Sequence, residues 1–91
     1  MLYNQCLTLH NHFNMKRTVT QQDVERYKQA YRDEILRINR EEFTHPIVGD
    51  ELEEALRVPS DDEIRKDLEE YGGDPKSVGE CAANIEMNYG H

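Results

Sequence analysis

Two cysteines and four histidines are the residues of this 91-residue chain best suited to metal or nucleophilic chemistry. Cys6, His10 and His12 make the pattern C-x3-H-x-H, with His45, Cys81 and His91 as the remaining donors. Zinc sites ordinarily bring ligands in short pairs such as C-x2-C or H-x3-H, and neither spacing occurs. On a helix His10 would fall beside Cys6 while His12 pointed elsewhere, so no metal is expected. For covalent catalysis the one pairing to consider is Cys81 with His45. Cys81, however, stands in an apolar stripe followed by two alanines, the setting of an inert thiol. A Cys6–Cys81 disulfide is the other arrangement. The first residues lack the basic start and long apolar run of a secretion signal, so two buried reduced thiols are expected. No Gly-rich phosphate loop, nucleophile elbow, two-His-plus-carboxylate signature or D-x-[DN]-x-[DN]-G calcium loop is present. Neither an enzyme nor a cofactor is expected, and binding is the better reading.

Carboxylates are abundant, and their distribution is lopsided. Residues 1–43 carry seven Lys and Arg against six Asp and Glu, a net of +1; residues 44–91 carry four against thirteen, a net of −9, which sums to the −8 of the whole chain. Direct nucleic-acid binding is disfavoured, because phosphate backbones need a basic footprint. The candidate partner-binding residues are Asp50, Glu51, Glu53 and Glu54, then Asp61, Asp62, Glu63, Asp67, Glu69 and Glu70. Read plainly, they are solvated helix faces and favourable charges at helix starts. Read functionally, they form an anionic surface that docks on a basic protein partner, with long-range attraction speeding the encounter.

The element that must carry this surface is a long amphipathic helix over about 20–43. Thr20 and Asp23 resemble a capping box. Val24, Tyr27, Tyr31, Ile35 and Ile38 recur in steps of three and four and so share one face. Leu36 and Phe43 form a narrower second seam. No Gly or Pro interrupts the run, and His45-Pro46 marks its stop. Because Tyr is favoured in protein contacts, the five-residue stripe is also the candidate interface of a homo-oligomer pairing along this helix.

Three shorter helices are expected after it. Asp50 caps 50–58, whose Leu52, Ala55 and Leu56 share a face, and Ile47 and Val48 pin the preceding turn to the core. Ser60 and Glu63 make a capping box for 61–71, with Ile64, Leu68 and Tyr71 buried and Gly72-Gly73 as the stop. Asp74-Pro75 opens 75–89, with Val78, Cys81, Ala82, Ile85 and Tyr89 on its buried face. Gly79 either weakens that helix or lets another backbone come close. Residues 1–14 place Leu2, Cys6, Leu9 and Phe13 at helical spacing, either a short docking helix or an extension ahead of Met15. The fold class is therefore all-α: a small helical bundle or bent helical hairpin built on the long helix, with 15–91 as a single helical domain.

Hydrophobic residues are 36% of the chain, against about 45–50% in typical globular chains. The core is thin, and an oligomer or partner would add to its stability. With no apolar run long enough for a membrane, the cytoplasm is the expected location.

Residues 44–64, THPIVGDELEEALRVPSDDEI, resemble the middle of the nuclease-colicin immunity proteins through His45-Pro46, Gly49-Asp50 and Pro59-Ser60-Asp61-Asp62. That resemblance implies a small, acidic, helical inhibitor; the adjacent tyrosine pair through which that family binds is missing here. The expected function is a non-enzymatic acidic protein, of microbial or mobile-element type, that inhibits or regulates a nuclease or nucleic-acid-binding protein, in part as a nucleic-acid mimic. The alternatives are a small oligomerising subunit, or a helical oligomer whose Tyr residues and Arg26, Arg32 and Arg37 line a small-ligand pocket.

Overall fold

The computed structural model describes residues 18–89. The proposed 1–14 helix, with Cys6, His10, His12 and also His91, lies outside the described residues. Among the described residues there are four helices and no strand: α1 (Gln21–Glu41), α2 (Gly49–Ala55), α3 (Asp61–Tyr71) and α4 (Pro75–Tyr89). The fold is all-α, built on one long helix.

α1 begins as its sequence dictates. The Thr20 hydroxyl oxygen accepts from the Asp23 amide at 3.1 Å, and the Thr20 amide donates to the Asp23 carboxylate at 3.1 Å. This closes a reciprocal capping box, with Asp taking the place of the usual Glu. The helix ends a turn before Pro46. The Glu42 and Phe43 amides both donate to the Ile38 carbonyl, at 2.8 and 3.2 Å, so Phe43 leaves the helix and becomes half-buried.

Val24, Tyr27, Tyr31, Ile35 and Ile38 are at most 5% exposed and form the centre of the core. α3 covers them with Ile64 and Leu68, and α4 with Val78, Ala83 and Met87. Burial of each large side chain contributes about 1.5–3 kcal/mol. The stripe expected to pair two copies of the chain is thus filled by the chain itself, because the shorter helices fold back along it. Leu36, expected in a second seam, is 42% exposed.

The last helix turns differently from expectation. Val78, Gly79, Ala83 and Met87 face the core, whereas Cys81 and Ile85 are half-buried and Tyr89 is 59% exposed. Gly79 sets this rotation. A Cβ there would stand 2.5 Å from the Tyr27 carbonyl oxygen and 3.3 Å from the Ala30 Cβ, so the α1–α4 crossing is made at the one side-chain-free position of α4. Cys81 therefore flanks the packed face, and it is disulfide-bonded, which corrects the expected reduced thiol.

α3 starts at Ser60, whose hydroxyl oxygen accepts from the Glu63 amide at 3.2 Å. It ends at Gly72, whose φ of 67° is the left-handed conformation that closes a helix without a Cβ clash. α2 departs most from expectation. It runs 49–55 rather than 50–58, and Val48 occupies its N-cap position with no side-chain hydrogen bond. Asp50 lies in the first turn instead of capping it. Val48 is 74% exposed and does not pin the turn. That work falls to Asn39, a buried residue of α1. Its Nδ2 donates to the Ile47 carbonyl at 3.0 Å, and its Oδ1 accepts from the Ile47 amide at 2.8 Å.

Candidate partner-binding surface

The expected partner-binding carboxylates lie on α2 and α3, turned outward by the apolar residues between them. On α2, Asp50, Glu51, Glu53 and Glu54 are exposed while Ala55 is buried and Leu52 half-buried. On α3 the exposed residues are Asp62, Glu63, Lys66, Glu69 and Glu70. At about 100° per residue they fall within an arc of about 120°, opposite Ile64 and Leu68. The helix period that buries two apolar residues thus gathers four carboxylates on the other side.

The remaining two behave differently. Asp61 lies 2.6 Å from the Lys28 ammonium and also accepts from Gln21 Nε2 at 3.3 Å. The Lys28 hydrogen bond, then the Gln21 one, hold its carboxyl below the ordinary aspartate range. Asp61 is therefore a bridge from α3 to α1. Asp67 is half-buried, and burial, followed by repulsion from Glu70 and Glu63, raises its pKa.

Of all these carboxylates, Asp61 alone has a Lys or Arg nitrogen within 4.0 Å among the described residues. The glutamates of α1 and its C-cap contrast with this, whereas among the described residues Asp33 accepts only from the Gln29 side-chain amide. Glu25 pairs with Lys28; Glu34, Glu41 and Glu42 pair with Arg37, and Glu41 also with Arg40. Glu34 takes both Nε and an Nη of Arg37, at 2.7 and 2.8 Å, and accepts from Asn84 of α4 at 2.9 Å. The Arg37 hydrogen bonds, with that of Asn84, depress its pKa. Opposite charges are interleaved at helical spacing on α1, whereas α2 has no cation in its seven residues and α3 has two among six carboxylates.

Tyr27 and Tyr31 do not form a wet surface. Their rings stack at a centroid distance of 6.4 Å with planes 9° apart, and both are buried. Burial, with the nearby Glu86 carboxylate, pushes the Tyr31 hydroxyl up to about 12. Burial and then Asp67 push Tyr27 upward as well.

A cavity of about 360 Å³ opens between the middle of α1 and the start of α4, lined by Arg26, Gln29, Ala30, Asp33, Asp74, Lys76 and Glu80. Of the arginines expected to line a ligand pocket, it takes Arg26. Arg37 is engaged by Glu34 and Glu42, and no tyrosine reaches the cavity. His45 is exposed on the α1–α2 connector. Among the described residues no three His, Cys, Asp or Glu side chains converge as metal ligands, and no helix is long and apolar enough to cross a membrane.

Sequence reasoning missed Asn39 and the Glu34–Asn84 link. The signal for Asn39 was its place beside Ile35 and Ile38 on the stripe, since a buried amide demands partners.

No protein-family model matches the chain, and no curated protein or solved structure matches it.

Proposed function

We propose that this chain is a non-enzymatic acidic binding protein that inhibits or regulates a basic partner through its anionic C-terminal half. The observation that carries this reading is the unequal pairing of charge. Four carboxylates along α1 and its C-cap, Glu25, Glu34, Glu41 and Glu42, are bridged to Lys or Arg, while Asp50, Glu51, Glu53, Glu54, Asp62, Glu63, Glu69 and Glu70 are exposed with no Lys or Arg nitrogen within 4.0 Å among the described residues. Exposed like charges left together repel one another, and a cationic surface relieves that repulsion on contact. The partner class that fits is a nuclease or nucleic-acid-binding protein, whose groove is built to receive a row of anions. The stripe Val24, Tyr27, Tyr31, Ile35 and Ile38 is consumed by the core, which weighs against the oligomeric alternative through that face.

The test is capture of a partner from the source cell at about 0.05 M and about 0.5 M salt, with the native chain and with Glu53, Glu54, Asp62 and Glu69 all replaced by Lys. The reading requires a basic protein retained at low salt by the native chain alone. Retention that ignores both salt and charge reversal would defeat it.

A further inference from the structure

The four helices are unequally anchored, and the difference is concentrated at α2. α1 and α3 begin with side-chain caps and are joined by Lys28–Asp61 and by Arg65, which donates to the Val19 carbonyl at 3.1 Å and to Gln21. α4 is tied to α1 through Asn84–Glu34 and the Gly79 crossing. α2 has no side-chain cap. A helix of seven residues does not hold itself together in water, so it depends on tertiary contacts. Those contacts are fully buried Ala55 and the half-buried Leu52, Leu56 and Val58.

Asp50 and Glu51 suit the positive end of the helix, but the spacing and placement of Glu53 and Glu54 work against it. Asp50–Glu53, Asp50–Glu54 and Glu51–Glu54 are like-charge pairs three or four residues apart. Glu53 and Glu54 also stand at the C-terminal end, where negative charge opposes the helix dipole. Among the described residues, the two Asn39 bonds to Ile47 are the side-chain hydrogen bonds that tie residues 44–58 to another element.

We infer that residues 47–58 open as a unit ahead of the rest of the fold, latched to α1 by Asn39 and loosened by Glu53 and Glu54. Opening bares the undersides of Leu52, Ala55 and Leu56 and the Ile38 end of the core. Neutralising Glu53 and Glu54 closes the unit. This inference stands independently of the identity of any partner.

Amide hydrogen exchange of the full chain tests it. The Leu56 and Arg57 amides, bonded to the Leu52 and Glu54 carbonyls at 2.9 and 3.2 Å, should exchange at least about 100-fold faster than the mid-helix amides of α1 and α4. The double variant Glu53→Gln, Glu54→Gln should slow them about two- to five-fold, and about 0.5 M salt should act in the same direction. Asn39→Ala should accelerate them about ten-fold without changing exchange at Ala83 or Met87. Protection at Leu56 equal to that at Ile35, or no response to the Gln variant, would overturn the inference. So would acceleration by Asn39→Ala that is uniform along the chain. Should the Asn39 variant fail to fold, the native profile and the surface Gln variant still decide between the two outcomes.

Discussion

Gly79 of α4 lies against the Tyr27 carbonyl of α1 so closely that a Cβ would stand 2.5 Å from that oxygen. Replacing Gly by Ala inside a helix ordinarily stabilises it by about 0.5–1 kcal/mol. Here the obstacle is backbone, which cannot rotate aside. Gly79→Ala should therefore destabilise the fold, by about 1–3 kcal/mol as α1 and α4 are forced apart. Urea unfolding decides the sign, and a more stable Ala variant would mean that the helices do not cross this tightly.

Leu68 and Ile64 are the two fully buried residues of α3. Leu68→Ala should cost about 2–5 kcal/mol, a large fraction of the stability of a small fold. Leu36→Ala, at a 42% exposed position outside the packed stripe, should change stability by less than about 0.5 kcal/mol. Chemical denaturation of the two variants side by side measures the contrast.

Asp67 has a raised pKa because it is partly buried and faces Glu70 and Glu63. A carboxyl that binds its proton more tightly when folded lends stability below its ordinary pKa of about 3.9 and loses it as pH rises through the folded value. At pH 7 the ionised group is a liability. Asp67→Asn should raise the unfolding temperature there, by the equivalent of less than about 1 kcal/mol since the site is partly solvated. The advantage should shrink as pH falls through the raised folded value toward about 4, and be gone below it. Thermal scans across that range check the trend.

Glu34 has the opposite sign. Hydrogen bonds from Arg37 and Asn84 lower its pKa, so its contribution is present above about 4.3 and is lost as pH falls through the depressed value. Glu34→Gln should reduce stability at pH 7 and flatten the acid side of the stability curve. Acid titration followed by circular dichroism would reveal an unchanged slope if the network contributes nothing.

Tyr31 is pushed up to about 12, chiefly by burial, and Tyr27 is raised by the same cause. Both should stay protonated through the ordinary tyrosine range near 10, and stability should fall as pH rises beyond it because the unfolded chain ionises first. Ultraviolet titration should show these two phenols appearing late, together with alkaline unfolding. Their ionisation near 10 in the folded protein would place them at the surface.

The sequence alone determined α1, α3 and α4 and their starts, but not the bounds or the cap of α2. Thr20 with Asp23, Ser60, Gly72 and Asp74-Pro75 act within a few residues, so local chemistry suffices to set them. The inward stripe of α1 and the outward carboxylates of α3 followed equally from the helix period. What occupies a stripe is a separate question, because a neighbour from the same chain and one from a second copy leave the same pattern in the sequence. Tertiary structure alone decided that α3 and α4 fill the α1 stripe, and that the face of α4 is turned by Gly79 toward Ala83 and Met87 rather than Ile85 and Tyr89. It also decided which carboxylates are paired. Asp61 and Asp62 are neighbours in sequence, yet Asp61 reaches Lys28 while Asp62 remains exposed, since a helix turns by about 100° between them.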